Sequence, residues 1–129
     1  MTLEELRKMA SVDLPMDETE LDKESMKTPQ LHNKYLILHT DEKLILGKIQ
    51  SDLNVLKRNK WLYYTGKLSQ EELDELDWEP FHLNILKTDI DKFIDSDDDI
   101  IKLSNRILLQ KEKVNYLESV IKIINNRQW

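Results

Sequence analysis

Between Leu56 and Lys67 the sequence reads LKRNKWLYYTGK. Four cationic side chains (Lys57, Arg58, Lys60 and Lys67) and three aromatic rings (Trp61, Tyr63 and Tyr64) fall within twelve residues. Lysine and arginine neutralise phosphates, which gives affinity for nucleic acid without reading its sequence. Aromatic faces stack on unpaired bases at ~1–3 kcal/mol per base, whichever base is offered. The pairing therefore suits a single strand better than a duplex. At helical spacing Lys57, Lys60 and Tyr64 share one stripe, with Arg58, Trp61 and Leu62 beside it. A plainer reading fits the same residues. Tyr63 and Trp61 pack in a core, and the cations form a solvated helix C-terminus, where the dipole favours positive charge. The residues alone leave both readings open.

Other chemistries find less support. The run DSDDD, Asp95 to Asp99, suggests a calcium loop, but Ile100 stands where glycine is needed and Arg106 where the bidentate glutamate is needed. Capping of a following helix is the better use of these aspartates. His32, His39 and His82 lack metal-ligand spacing, and the chain has no cysteine. Glycine-rich phosphate loops, nucleophile elbows and HExxH are missing from the sequence. The expectation is a protein that is not an enzyme and needs no cofactor.

The totals frame the basic stretch. The net charge is −6 over 129 residues, so a polyanion would meet the distribution of charge rather than its sum. Residues 1–42 carry five basic and ten acidic side chains, residues 43–67 six and one, and residues 68–129 eight and fourteen. A segment of +5 thus lies between segments of −5 and −6. With 34% charged residues, two glycines and three prolines, the composition fits long helices and few turns. The N-terminus lacks a signal-peptide core and no apolar run approaches spanning length, so a cytoplasmic, non-membrane protein is expected.

The elements that must position the motif follow from periodicity. The expected fold class is all-α, a single helical domain of long amphipathic helices in a helical hairpin-like subunit. Residues 1–28 read as short helices, the first capped by Thr2 and a second running from Asp17 or Thr19 to Lys27. Residues 29–66 read as a long helix with a seam through Leu31, Tyr35, Leu38, Ile45, Ile49, Leu56 and Tyr63, interrupted at Glu42 and Lys60 and ended by Gly66. Residues 67–99 form an acidic linker with short elements: a helix capped by Ser69 and Glu72, a possible strand in FHLNILK, and helical turns in TDIDKFID. Residues 100–127 read as a C-terminal helix whose seam (Ile100, Leu103, Ile107, Val114, Leu117, Ile121 and Ile124) is expected to make oligomer contacts. Gln110 is the one polar residue on it, a device that often fixes register or oligomer state.

The residues 58–66, RNKWLYYTG, resemble the signature of the UvsY family of recombination mediators from T-even-type phages. That signature has two basic residues one apart, two intervening positions, then Tyr-Tyr-Ser/Thr-Gly. Here the basic pair is Arg58 and Lys60, in the reverse order of types, which moves bidentate phosphate geometry to position 58. The resemblance extends from Thr19 to Gly66, including LHNKYLILH, and to LEELRK at the start. It implies a mostly helical chain that assembles into a ring, a heptamer in the best-known member. It further implies non-specific binding of single-stranded DNA, with Arg58 and Lys60 as contacts, in recombination, DNA repair and DNA replication. The implied partners are a phage RecA-like recombinase, loaded in place of the phage single-strand-binding protein, in the cytoplasm of the infected host cell. The competing classes are a helical structural or adaptor oligomer without DNA binding, and a small monomeric or dimeric DNA-binding module.

Overall fold

The computed structural model describes residues 1–127. Its elements are α1 (Leu3–Asp13), α2 (Leu21–Tyr64), α3 (Gln70–Leu76), a 3₁₀ turn (Lys87–Asp89), α4 (Ile90–Asp95) and α5 (Asp98–Asn125). No strand occurs among the described residues, so the fold is all-α.

Local chemistry sets the helix ends. Thr2 Oγ1 accepts from the Glu5 backbone N–H at 3.1 Å, and Ser69 forms a full capping box with Glu72. Asp97 Oδ1 accepts from the backbone N–H groups of Asp99 (2.9 Å) and Ile100 (3.2 Å), so the acidic run caps α5 as expected. At the end of α2, Gly66 adopts φ 70°, donates to the Tyr63 carbonyl at 3.1 Å, and lets Lys67 N–H reach the Leu62 carbonyl at 2.9 Å. These are the two bonds of a Schellman motif, which satisfies carbonyls that a helix end leaves unpaired.

Two expectations are corrected here. The separate helix before Lys27 does not form; its residues are the first turns of α2, which continues through Pro29. Proline removes only one donor, and the carbonyl it leaves belongs to exposed Ser25, where water serves. The strand in FHLNILK does not form either, since nothing offers its backbone a ladder; residues 78–86 are irregular.

The chain gathers into two compact units, one of residues 1–47 with the chain from Leu108 onward, the other Lys48–Ile107. In the first, Leu6 and Ala10, one turn apart on α1, meet Tyr35 of α2 and Leu117, Val120 and Ile124 of α5. Asp13 accepts from Lys34 Nζ at 2.6 Å and from the Tyr35 hydroxyl at 2.9 Å, tying α1 to α2. Gln110 Nε2 donates to Glu42, to its carbonyl at 2.8 Å and its carboxylate at 2.6 Å, so this polar residue pins register inside the subunit. In the second unit Ile90 and Ile94 of α4 and Ile100 of α5 pack with Leu53, Leu56 and Tyr64 of α2.

The seam of α5 is therefore spent within the chain. Ile100, Ile107, Val114, Leu117 and Ile124 are buried, and Leu103 and Ile121 half-buried, without any second copy. These residues were expected at an oligomer interface; instead α1, α2 and α4 cover most of that seam from within the chain. The α2 seam passes through Glu42 and Lys60, both buried, and through half-buried Leu46 rather than exposed Ile45.

Candidate nucleic-acid interface

The basic motif lies at the C-terminal end of α2, in the unit Lys48–Ile107, and its cations divide into two groups. Lys57, Arg58 and Lys67 are exposed, and among the described residues no carboxylate lies within ion-pair distance of them. Trp61 stands between them along the chain, 40% exposed, with Lys67 Nζ 4.5 Å from the centre of its ring. The Schellman turn produces that contact, because it folds Lys67 back over the last turn of the helix. A desolvated cation on an aromatic face adds up to ~2 kcal/mol, less when exposed, so the pair also limits the freedom of the indole.

Lys60 belongs to the other group. It is only 5% exposed, and its Nζ lies 3.1 Å from Asp97 and 2.9 Å from Asp99. The Trp78 ring covers it at 3.9 Å. Trp78 is delivered by an unusual turn. Asp77 takes left-handed φ of 57° after α3, and Trp78 N–H then bonds the Leu73 carbonyl at 3.0 Å. Lys60 was expected on a solvated DNA-facing stripe, and the structure corrects that placement. The residue follows Leu53 and Leu56 by seven and four, which puts it on the buried seam, where a charge must be paired.

Tyr64 is drawn inward too. Its hydroxyl donates to Asp97 at 2.6 Å, and its ring packs edge-on against Tyr63 and Phe81 and tilted against Phe93. Burial, and then the Asp97 carboxylate, push the Tyr64 hydroxyl well above its ordinary value. Burial alone would raise the Asp97 carboxyl; the Tyr64 hydroxyl, Lys60 and the Ile100 N–H outweigh it and hold Asp97 below the usual carboxylate range. Tyr63 donates its hydroxyl to the Glu79 carbonyl at 2.6 Å and packs against Trp78.

Two grooves result, and both touch Tyr64. One, of about 440 Å³, is lined by Lys60 together with Asp77, Glu79, Asp97, Asp98 and Asp99. The other, of about 460 Å³, is lined by Trp61, Lys67, Phe81, Leu83, Asn84 and Lys87 among others, with no carboxylate in its lining. A polyanion is repelled by the first and attracted by the second.

A model of the family described as "Recombination, repair and ssDNA binding protein UvsY" matches residues 9–129. The chain belongs to the UvsY family. Two crystal structures of the bacteriophage T4 recombination mediator protein UvsY, lattice types IV and II, are similar to it, with TM-scores of 0.84 and 0.83. They are 19% and 20% identical, and the alignments cover 97% of this chain and 88% and 86% of those chains. At that identity the likeness is one of fold. No curated protein sequence matches.

For a UvsY-family chain, the signature Arg-x-Lys therefore splits: Arg58 faces solvent and Lys60 does not. Of the residues singled out from the sequence, Lys57, Arg58, Trp61 and Lys67 share an exposed edge. Lys87 was missed. Its only signal was that FHLNILK carries a lysine and no acid between two acidic stretches, residues 71–79 and 89–99.

Proposed function

We propose that this chain is a recombination mediator that binds single-stranded DNA without sequence preference and helps load a RecA-like recombinase in place of single-strand-binding protein. Family membership supports the class of role. The observation that carries the reading to particular residues is the exposed edge of Lys57, Arg58, Trp61 and Lys67, three cations without carboxylate partners among the described residues, in a chain of net charge −6. Arg58 offers the planar fork that grips a phosphate in two places, and Lys57 and Lys67 act as point charges. The proposed role is binding and hand-over, with no bond made or broken.

We infer further that the working form is a homo-oligomeric ring, a heptamer by resemblance, in which several copies of a weak edge raise affinity through effective concentration. Since most of the α5 seam is buried within the subunit, the ring would use residues left outside, and Ile37 and Leu44 on α2 and Leu108 and Leu109 on α5 are among the exposed apolar side chains. No helix among the described residues is long and apolar enough to cross a membrane.

The test is a salt titration of single-stranded DNA binding. Lys57→Ala with Arg58→Ala should weaken binding and lower the slope of log affinity against log salt by roughly 0.7 for each phosphate no longer neutralised. The weakening should be the same across base compositions, because phosphate contacts carry no sequence information. Recombinase loading on DNA coated with single-strand-binding protein should fall in parallel. Wild-type affinity and slope in the double variant would return these cations to an ordinary solvated helix end.

A further inference from the structure

We propose that the groove between Trp61 and Lys87 is a nucleobase subsite, which takes one unpaired base of the bound strand while Lys67 and Lys87 meet the phosphates on either side. The inference rests on the reading of this chain as a single-strand binder, and adds that bases, as well as phosphates, are held.

Three observations point to this occupant. The volume, about 460 Å³, falls in the ~300–1,000 Å³ range of small-molecule sites and so has room for a base. The walls include aromatic and aliphatic side chains, Trp61, Phe81 and Leu83, the last of them 65% exposed. The polar groups are of the right sign and kind. Lys67 and Lys87 are exposed cations, and Asn84 offers both a donor and an acceptor suited to a base edge.

Charge decides against an ordinary protein ligand. A chain with 25 acidic side chains leaves this lining free of every one of them, while placing five in the neighbouring groove. An apolar peptide would need the walls but not the two lysines; a phosphate alone would need the lysines but not the walls. An unpaired nucleotide uses both. Lys67 also has a resting position, 4.5 Å over the Trp61 ring, from which it can swing to a phosphate as the base takes up the indole.

The experiment uses the full chain in its assembled form and two probes of equal length, an oligothymidylate and an abasic deoxyribose-phosphate strand. Wild type should prefer the thymidylate by roughly 5- to 150-fold per base held, the fold-change that corresponds to ~1–3 kcal/mol of stacking. Trp61→Ala should erase the preference but keep the salt dependence, and Trp61→Phe should restore part of it, which a merely structural tryptophan would not do. Lys67→Ala with Lys87→Ala should lower the salt slope for both probes. Equal, salt-dependent binding of the two probes by wild type would overturn the base subsite and leave the phosphate reading standing. A preference that survives Trp61→Ala would place the bases elsewhere and also overturn it. If Leu83→Lys changes the mass of the assembly and not the preference, the groove is a contact between copies and the proposal fails. If neither probe binds, the underlying reading falls and this one with it.

Discussion

Two grooves meet at Tyr64, and they treat positive charge in opposite ways. On one side Lys60 is enclosed by Asp97, Asp99 and the Trp78 ring, and the lining is acidic. On the other, Lys67 and Lys87 share the lining with Trp61, Tyr64 and Phe81, and no acid is among the lining residues. All three lysines lie between positions 60 and 87 of one unit. What separates them is their place in the chain: Lys60 sits on the seam of α2, whereas Lys67 follows the Schellman turn and Lys87 lies in the 3₁₀ turn, both exposed. A cation on the seam must bring its counter-charge with it, and so is spent on the fold. A cation off the seam keeps its charge for a ligand. Counting basic residues in a motif therefore overstates what a polyanion meets.

The largest expected effect tests this division directly. Lys60→Ala leaves Asp97 and Asp99 facing each other without their cation, and removal of one partner of a buried pair costs ~3–5 kcal/mol. Asp99 is half exposed, which puts the expectation at the lower end of that range. The measurement is the midpoint of urea unfolding. Arg58→Ala should shift the same midpoint by no more than ~0.5 kcal/mol, as for other surface substitutions. A Lys60→Ala chain with wild-type stability and a reduced salt slope would make Lys60 a phosphate contact and dissolve the contrast.

How much of this was legible in the sequence turns on particular residues. The caps at Thr2, Ser69 and Gly66 were legible because each is a local device, complete within three or four residues. The long seams were legible because their stepping of three and four is sustained. Glu42 and Lys60 break the apolar character of the α2 seam yet sit in step with it; their burial shows that the stepping outranks residue type when a partner is at hand. Those partners, Gln110 for Glu42 and Asp97 with Asp99 for Lys60, lie 68 residues away in one case and 37 and 39 in the other, beyond any local pattern. The α5 seam was assigned to other subunits for a related reason. A seam announces that it will be covered, but not whether its cover comes from the same chain. In residues 78–86 the alternation of Phe81, Leu83 and Ile85 points to a strand that does not form, and so the second wall of the open groove stayed hidden, and Lys87 with it.

A smaller effect comes from acid. Asp97 is held below the ordinary carboxylate range, so its network contributes stability above the unfolded-chain value near ~3.9 and loses it as the pH falls through the lower, folded-state value. Wild type should therefore lose stability steeply below about pH 4, where this carboxylate takes up its proton. Asp97→Asn cannot be protonated, so it should begin less stable at neutral pH and show a flatter acid limb. Urea midpoints collected from neutral pH down into the acid limb would show it. Parallel limbs for the two proteins would mean that Asp97 is not tied to Lys60 and Tyr64 in solution, and the closed groove would lose its distinction from the open one.

The smallest effect comes from making the open groove resemble the closed one. Asn84→Asp adds a carboxylate of nearly the same shape to a lining that has none, within a groove that Lys67 and Lys87 share. The side chain is exposed, so the fold should not notice. An exposed ion pair is worth only ~0.2–1 kcal/mol, which corresponds to a drop of roughly 1.5- to 5-fold in affinity for single-stranded DNA per engaged subunit. Screening gives the result its signature. With a Debye length of about 10 Å at 0.1 M salt and ~3 Å at 1 M, the gap between Asn84→Asp and wild type should narrow as salt is raised. Asn84→Ser, which removes the amide without adding charge, should leave the salt dependence where it was. If Asn84→Asp binds as wild type does even at low salt, the lack of carboxylates is not what opens this groove to DNA, and the strand must run along the Lys57–Arg58 edge without entering it.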